Sequence, residues 1–227
     1  MEYQNLIMSQ LVFKFPFKTK YYEQDFYVSS NNFSAYKLIE SWPNWSGKWL
    51  NIYGASGSGK THLSKILGKK IDKTKIIDEQ NINDLTIQNL NNYECLIIDN
   101  FKNLIEEKIL YSILNQSKQL DNFVVINSIL PIKKNLFNLK DLQSRANSFV
   151  LIGIDLPTDD LLEVIISKSL SERQIKLNPK ITEYIIKNVE RSYEKIFKLL
   201  RDIDELSLSS GKSININLIK KVLEKNE

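Results

Sequence analysis

Cysteine and histidine are almost absent from this chain: its 227 residues include one of each, Cys95 and His62. A single thiol closes no internal disulfide, and the count excludes metal centres built from His/Cys clusters. Cys95 lies inside an apolar run, where a small buried side chain fits better than a reactive one. Long apolar runs are missing too. No stretch approaches the roughly 20 residues that cross a bilayer, and the polar, charged N-terminus has no signal-peptide core, so the expectation is a cytoplasmic protein with no membrane partner. Charge of one sign is also lacking. The 31 basic and 27 acidic residues leave a net +4, and the basic ones are scattered, which supports only weak, general attraction to nucleic acid. With 42% hydrophobic and 26% charged residues, the composition is that of a globular protein of one or two domains. Neither an internal repeat nor a low-complexity block is evident.

What is present is a phosphate-binding loop. Gly54, Ala55, Ser56, Gly57, Ser58, Gly59, Lys60 and Thr61 complete a G-x-x-x-x-G-K-[ST] motif. The run Trp49 to Tyr53 before it reads as a buried strand, and Thr61 to Leu67 as the start of a helix. The glycines let the backbone wrap a phosphate chain, and the N–H groups with the helix N-terminus face its charge. Lys60 is suited to the β and γ phosphates, and the Thr61 hydroxyl to Mg2+. His62, in the first helical turn, reads as a packing or capping side chain beside the nucleotide.

Four more runs have strand character: Lys75 to Asp78, Cys95 to Ile98, Phe123 to Asn127 and Phe149 to Gly153. Continuous Ile/Val/Leu segments separated by helical stretches predict an α/β, doubly wound fold with a parallel five-stranded sheet flanked by helices. After Leu156-Pro157 the character changes, and only Ile214-Asn215-Ile216 reads as a further short strand. Helix starts are predicted at Thr158 with Asp159 and Asp160, at Asn178-Pro179, near Ser192 and at Asn217. The expected organisation is an N-terminal segment over 1–20, an α/β domain over 21–156 and an all-helical lid over 157–227.

The second half of a nucleotide site is an acid at the end of a buried strand. Cys95-Leu96-Ile97-Ile98-Asp99 supplies it, placing Asp99 for Mg2+. Hydrolysing enzymes of this kind usually carry a second carboxylate next, and this chain has Asn100. An amide orients water but accepts no proton from it, so intrinsic turnover is expected to be slow or absent.

These residues carry a resemblance. The loop Gly54 to His62, the strand end Ile98-Asp99-Asn100, the segment Asp141-Leu142-Gln143-Ser144-Arg145 and the helical lid resemble the AAA+ ATPases of the bacterial replication-initiator DnaA family. Phe26-Tyr27-Val28-Ser29-Ser30-Asn31 resembles that family's adenine-side entry segment, and the resemblance covers nearly the whole chain. With the chain stopping at Glu227, no helix-turn-helix DNA-binding domain is expected after the lid. The match is closer to the family's short regulatory member, which shares the Asp-Asn pair and promotes ATP hydrolysis on DnaA.

That resemblance implies roles for further residues. Gln10, Leu11, Phe13 and Phe15 are similar to a peptide that docks on the DNA polymerase sliding clamp, with a Gln amide and spaced apolar anchors; as a bare sequence the segment reads equally well as a strand. Arg145 matches the arginine finger, which acts on a neighbour's γ-phosphate. The first sensor's usual position falls on Ile129, with Asn127 or Ser128 as substitutes. The lid sensor arginine aligns with Glu194, whose charge opposes a γ-phosphate, and Arg191, three residues earlier on the same helical face, is its replacement. The implied protein binds ADP, or ATP, with Mg2+, and links DnaA to the clamp, reaching DNA through the clamp; homo-oligomers are open. The rival reading is a self-sufficient helicase-loading ATPase acting on DNA. A small-molecule kinase is a third, for which no acceptor-binding acids stand out.

Overall fold

The computed structural model describes residues 25–171, 178–211 and 213–226. They fall into two units divided between Leu156 and Pro157. Gln10, Leu11, Phe13 and Phe15 lie outside the described residues.

The first unit is built on five parallel strands: β1 (Trp49–Gly54), β2 (Thr74–Asp78), β3 (Cys95–Phe101), β4 (Phe123–Ser128) and β5 (Val150–Ile154). Their order is β2-β3-β4-β1-β5. Side chains alternate across the sheet, which is why the strands read as unbroken apolar runs. Leu96 and Ile98 of β3 join Val124 and Ile126 of β4 in one core cluster. Cys95 and Ile97 join Leu50, Ile52 and Val125 in the cluster on the opposite face. Helices α1 (Phe33–Glu40) and α2 (Lys60–Lys70) cover the second face. The short α3 (Asp84–Gln88), α4 (Glu107–Gln119) and α5 (Lys140–Asn147) cover the first. Burial pushes the Cys95 thiol up to about 12, so it is an inert core side chain.

Asn51 is the polar exception inside β1. Fully buried, it donates to Ser128 Oγ and the Ile126 carbonyl, both at 2.8 Å, and accepts from the Ile132 N–H at 2.8 Å. Those bonds satisfy the amide and fix the chain as it leaves β4.

The second unit is helical: α6 (Asp159–Ser171), α7 (Pro179–Asn188), α8 (Tyr193–Ser210) and α9 (Ile216–Asn226). Its core is Leu162, Ile166, Ile185, Ile196, Leu200, Ile203 and Ile219. Local chemistry sets the helix ends. Asp159 and Asp160 occupy the first turn of α6, Asn178 caps α7 with Pro179 at its start, and Ser192 caps α8. The strand expected at Ile214 to Ile216 does not form. Asn215 Oδ1 instead accepts from the Leu218 N–H at 3.0 Å, and the last helix opens at Ile216 rather than Asn217. No helix among the described residues is long and apolar enough to cross a membrane.

Candidate nucleotide site

The loop from Gly54 to Lys60 turns at the end of β1 through backbone that side chains rarely adopt. Gly57 has φ 80° and Gly59 φ 98°. A Cβ on Gly54 would stand 2.7 Å from the Ile154 carbonyl oxygen, and one on Gly59 3.0 Å from the Phe26 ring. The space that glycine keeps open is a backbone-lined cradle at the N-terminus of α2. Within it Ser58 Oγ is buried without a hydrogen-bond partner. Lys60 Nζ donates to the Gly54 and Ala55 carbonyls, each at 2.8 Å. Burial lowers the Lys60 pKa from the ordinary lysine value, while the charge of Asp99 acts in the opposite sense. Ser56 and Gly57 are exposed at the loop's tip.

Asp99, buried near the end of β3, is reached by two side chains. Thr61 Oγ1 donates to its carboxylate at 2.8 and 3.1 Å. Asn127 Nδ2 donates to Asp99 Oδ1 at 2.9 Å, and Ser64 Oγ bonds the Asn127 amide in turn. A hydroxyl and a carboxylate side by side below a cationic, glycine-lined loop are hard-oxygen ligands suited to Mg2+ beside a phosphate chain. The residues therefore fit the nucleotide and the metal that the motif calls for. Among the described residues no cluster of three or more His, Cys, Asp or Glu forms a separate metal site.

The segment from Phe26 to Asn32 sits against this loop. Phe26 stacks on Tyr36 with centroids 6.0 Å apart and meets His62 edge-on at 5.2 Å. Asn32 Oδ1 accepts from the Ser29 N–H at 3.0 Å, and Asn31 is tied to Asp155, beyond the end of β5, by paired backbone and side-chain bonds. His62 is thus a packing partner of the segment beside the loop.

The sensor candidates fall in different surroundings. Ile129 lies past the end of β4 and is half exposed, whereas Asn127, fully buried, makes the contact to Asp99. Ser128 turns to Asn51 and the Leu130 carbonyl. Arg191 shares no helical face with Glu194, because α8 begins at Tyr193 after its Ser192 cap. Arg191 instead pairs with Asp159 at 2.9 and 3.0 Å within the lid unit. Glu194 occupies the first turn of α8, where a carboxylate suits the helix dipole. Asn100 has φ 56° and donates to Asp78 Oδ2 at 2.6 Å, a partner the sequence reading missed.

Arg145, in the last turn of α5, is far from the loop. Its guanidinium lies 4.9 Å from the centre of the Tyr111 ring and 5.9 Å from that of Trp49, and Nη2 donates to Asn115 Oδ1 at 2.8 Å. Trp49 is the first residue of β1 and Gly54 the last, so about 16 Å of strand, at roughly 3.3 Å per residue, separates the two ends. A cavity of about 550 Å³ opens beside Arg145, lined among others by Lys48, Trp49, Tyr111 and Lys118. Tyr111 and Asn115, four apart on α4, were not singled out from the sequence, although that spacing puts them on one helical face.

Known proteins resemble this arrangement. Residues 159–223 match the family described as Hda, lid domain. The chromosomal replication initiator protein DnaA of Buchnera aphidicola subsp. Cinara cedri is 27% identical over 234 residues, covering 91% of this chain and 53% of that protein. In sequence the chain is similar to DnaA over most of its length, and its helical region to the Hda lid. It spans about half the length of the Buchnera DnaA relatives it matches. By contrast, it covers 92% of an uncharacterized Haemophilus influenzae protein, at 22% identity over 212 residues. In fold it is similar to domain III of the Thermotoga maritima replication initiation protein DnaA, with TM-score 0.74 and 19% identity over 93% of this chain and 98% of that one. It is also similar to AMPPCP-bound DnaA from Aquifex aeolicus, with TM-score 0.63 and 20% identity over 83% and 66% of the two chains. The parallel sheet with its flanking helices and the helical region after it is thus the AAA+ fold.

Proposed function

We propose that this protein is an Hda-like regulatory adaptor of chromosome replication initiation, which holds ADP at Gly54 to Thr61 and supplies Arg145 to ATP bound on DnaA. The observation that carries this reading is the distance between the two sites. Arg145 lies beside the first residue of β1 and the loop begins at its last, farther apart than an arginine side chain extends. A nucleotide that Arg145 reaches belongs to another subunit, and charge supplied there in trans accelerates phosphoryl transfer by orders of magnitude. The relationship to DnaA and the match of the lid to the Hda lid family support DnaA as that subunit.

On this reading the loop serves binding more than turnover. Backbone N–H groups and Lys60 hold the phosphates, Thr61 and Asp99 hold Mg2+, and the Phe26 segment lines the adenine side. Asn100 supplies an amide in place of a second carboxylate and is bonded to Asp78. DnaA from Aquifex aeolicus was solved with AMPPCP, which supports a nucleotide here; ADP as the working state rests on Asn100 and Glu194. Gln10, Leu11, Phe13 and Phe15 dock on the sliding clamp and bring the adaptor to DNA-loaded clamps, so the protein works at the replisome as a negative regulator of re-initiation.

The test is a reconstituted hydrolysis assay with ATP-loaded DnaA, DNA-loaded clamp and ADP. The intact protein is expected to stimulate hydrolysis, and Arg145→Ala and deletion of residues 10–15 to abolish that. Stimulation unchanged in both variants would overturn the adaptor reading. ATP turnover by the protein alone, independent of DnaA, would favour the helicase-loader type of ATPase. Tighter binding of ATP than of ADP in calorimetry would count against ADP as the working state.

A further inference from the structure

We propose that Tyr111 and Asn115 are positioning residues for Arg145, holding its guanidinium through neutral groups so that its full charge remains available to a partner's phosphates. This rests on Arg145 acting in trans as proposed above. Three contacts define the cradle: the Tyr111 ring face at 4.9 Å, the Trp49 ring at 5.9 Å and the Asn115 amide oxygen at 2.8 Å from Nη2. None of them carries a charge; Lys48, Lys118, Asp121 and Asp141 also line the cavity beside Arg145, and among the described residues neither aspartate forms an ion pair with it. A guanidinium has five N–H donors in a fixed fork. One is used by Asn115 and the ring faces use none, which leaves donors for a ligand at the adjoining cavity of about 550 Å³ that Arg145 lines. A carboxylate in the place of Asn115 would hold the fork equally well but would compete with phosphate for its charge.

The cradle is itself anchored. Tyr111 and Asn115 stand one turn apart on α4, whose Leu110, Ile113 and Leu114 are buried in the core beside them. Trp49 packs on Phe149 with ring centroids 5.6 Å apart. Holding the arginine on rigid elements lowers the ordering cost that a long, free side chain meets when it reaches a neighbour's nucleotide. The cradle should therefore act on the rate at saturation and not on docking.

The test uses the full-length protein with ATP-loaded DnaA and DNA-loaded clamp, measuring the maximal stimulated rate and the half-saturating concentration separately. Asn115→Ala is expected to lower the maximal rate by about tenfold, the effect of losing one hydrogen bond to a charged group, with half-saturation unchanged. Tyr111→Phe keeps the ring face and should retain parental activity, whereas Tyr111→Leu should lose it. Asn115→Asp, which preserves the shape, should also lower the maximal rate because it neutralises the guanidinium. If Tyr111→Leu fails to fold, the Asn115→Asp result carries the test, since a merely structural role would leave that variant fully active. Parental maximal rates in Asn115→Ala and Asn115→Asp, or changes confined to half-saturation, would overturn the cradle. Arg145→Ala distinguishes the two failures. If it abolishes stimulation while the Asn115 variants do not, only the cradle falls; if Arg145→Ala stimulates like the parent, the trans reading falls with it.

Discussion

Asn100 donates its amide to Asp78 Oδ2 at 2.6 Å, joining the ends of two neighbouring strands. Asn100 makes this bond from a left-handed backbone, with φ 56°, within the register shift between Ile98 and Phe101. Asparagine tolerates that conformation and can donate; an aspartate there would tolerate it and face a second carboxylate. Asn100→Asp is therefore expected to lower stability at pH 7 by about 1 kcal/mol, and the double variant with Asp78→Asn to recover most of that loss. The deficit of the single variant should shrink near pH 4, where one proton shared between the carboxyls restores a donor. Urea unfolding at both pH values checks this. A double variant no more stable than Asn100→Asp alone would show that the pair is not coupled.

Asp99 is expected to make nucleotide binding depend on Mg2+. Its carboxylate meets the Thr61 hydroxyl at 2.8 Å while Asn127 holds its other oxygen, which orients the group beside the hydroxyl that would share a cation with it. Asp99→Asn should leave nucleotide binding measurable but insensitive to chelation of Mg2+, whereas the parent should bind more weakly once Mg2+ is chelated. Calorimetric titration with ADP, with and without a chelator, separates the two. Equal Mg2+ dependence in parent and variant would remove Asp99 from the metal's coordination.

The sheet was legible because both of its faces are buried. Leu96, Ile97 and Ile98 feed two different cores, so no alternating polar residue interrupts the run. The loop was legible because glycine has few reasons to recur at that spacing. Asn51 and Asn127 were harder to read, since a polar residue in a strand is explained only by partners far along the chain, 28 residues away for Asn127 with Asp99 and 77 for Asn51 with Ser128. Ile214 and Ile216 flank a polar Asn215 and so imitate a strand's alternation, but the Asn215 side chain caps the following helix instead. Arg191 looked one helical turn from Glu194 because spacing alone does not show where a helix begins, and Ser192 begins it. The Arg145 cradle is assembled from α4, α5 and β1, a convergence that no local window of sequence contains.

Lys60 gives the nucleotide site a pH dependence of definite sign. Its folded-state pKa is lowered below the ordinary lysine value of 10.5 by burial, so between the lowered value and 10.5 the unfolded chain binds more protons. Stability of the protein without nucleotide should therefore rise with pH across that window. Phosphate favours the charged ammonium, so nucleotide binding should take up protons and weaken as pH rises through the lowered pKa. Lys60→Met removes the titrating group and should abolish both effects. Calorimetry in buffers of different ionisation heat reads the proton uptake directly. An alkaline affinity for ADP that stays constant until the ordinary lysine value would contradict the shift.

Glu79 and Leu104 should respond to mutation in the reverse of the order their hydrophobicity suggests. Glu79 is 4% exposed, and its carboxylate accepts from the backbone N–H groups of Lys102, Leu104 and Ile105 at 2.7, 2.8 and 3.3 Å. Those bonds hold the chain between β3 and α4, and they turn Leu104 outward to 78% exposure. Removing the carboxylate leaves three donors without acceptors, a loss of about 3 kcal/mol for Glu79→Ala. Leu104→Ser removes an apolar side chain that already faces solvent and should change stability by less than about 0.5 kcal/mol. Hydrogen exchange should locate the first effect, with Glu79→Ala raising exchange at 102–105 and leaving the α8 amides as in the parent. Equal destabilisation by the two substitutions would mean that the loop is held by burial of Leu104 and not by the glutamate.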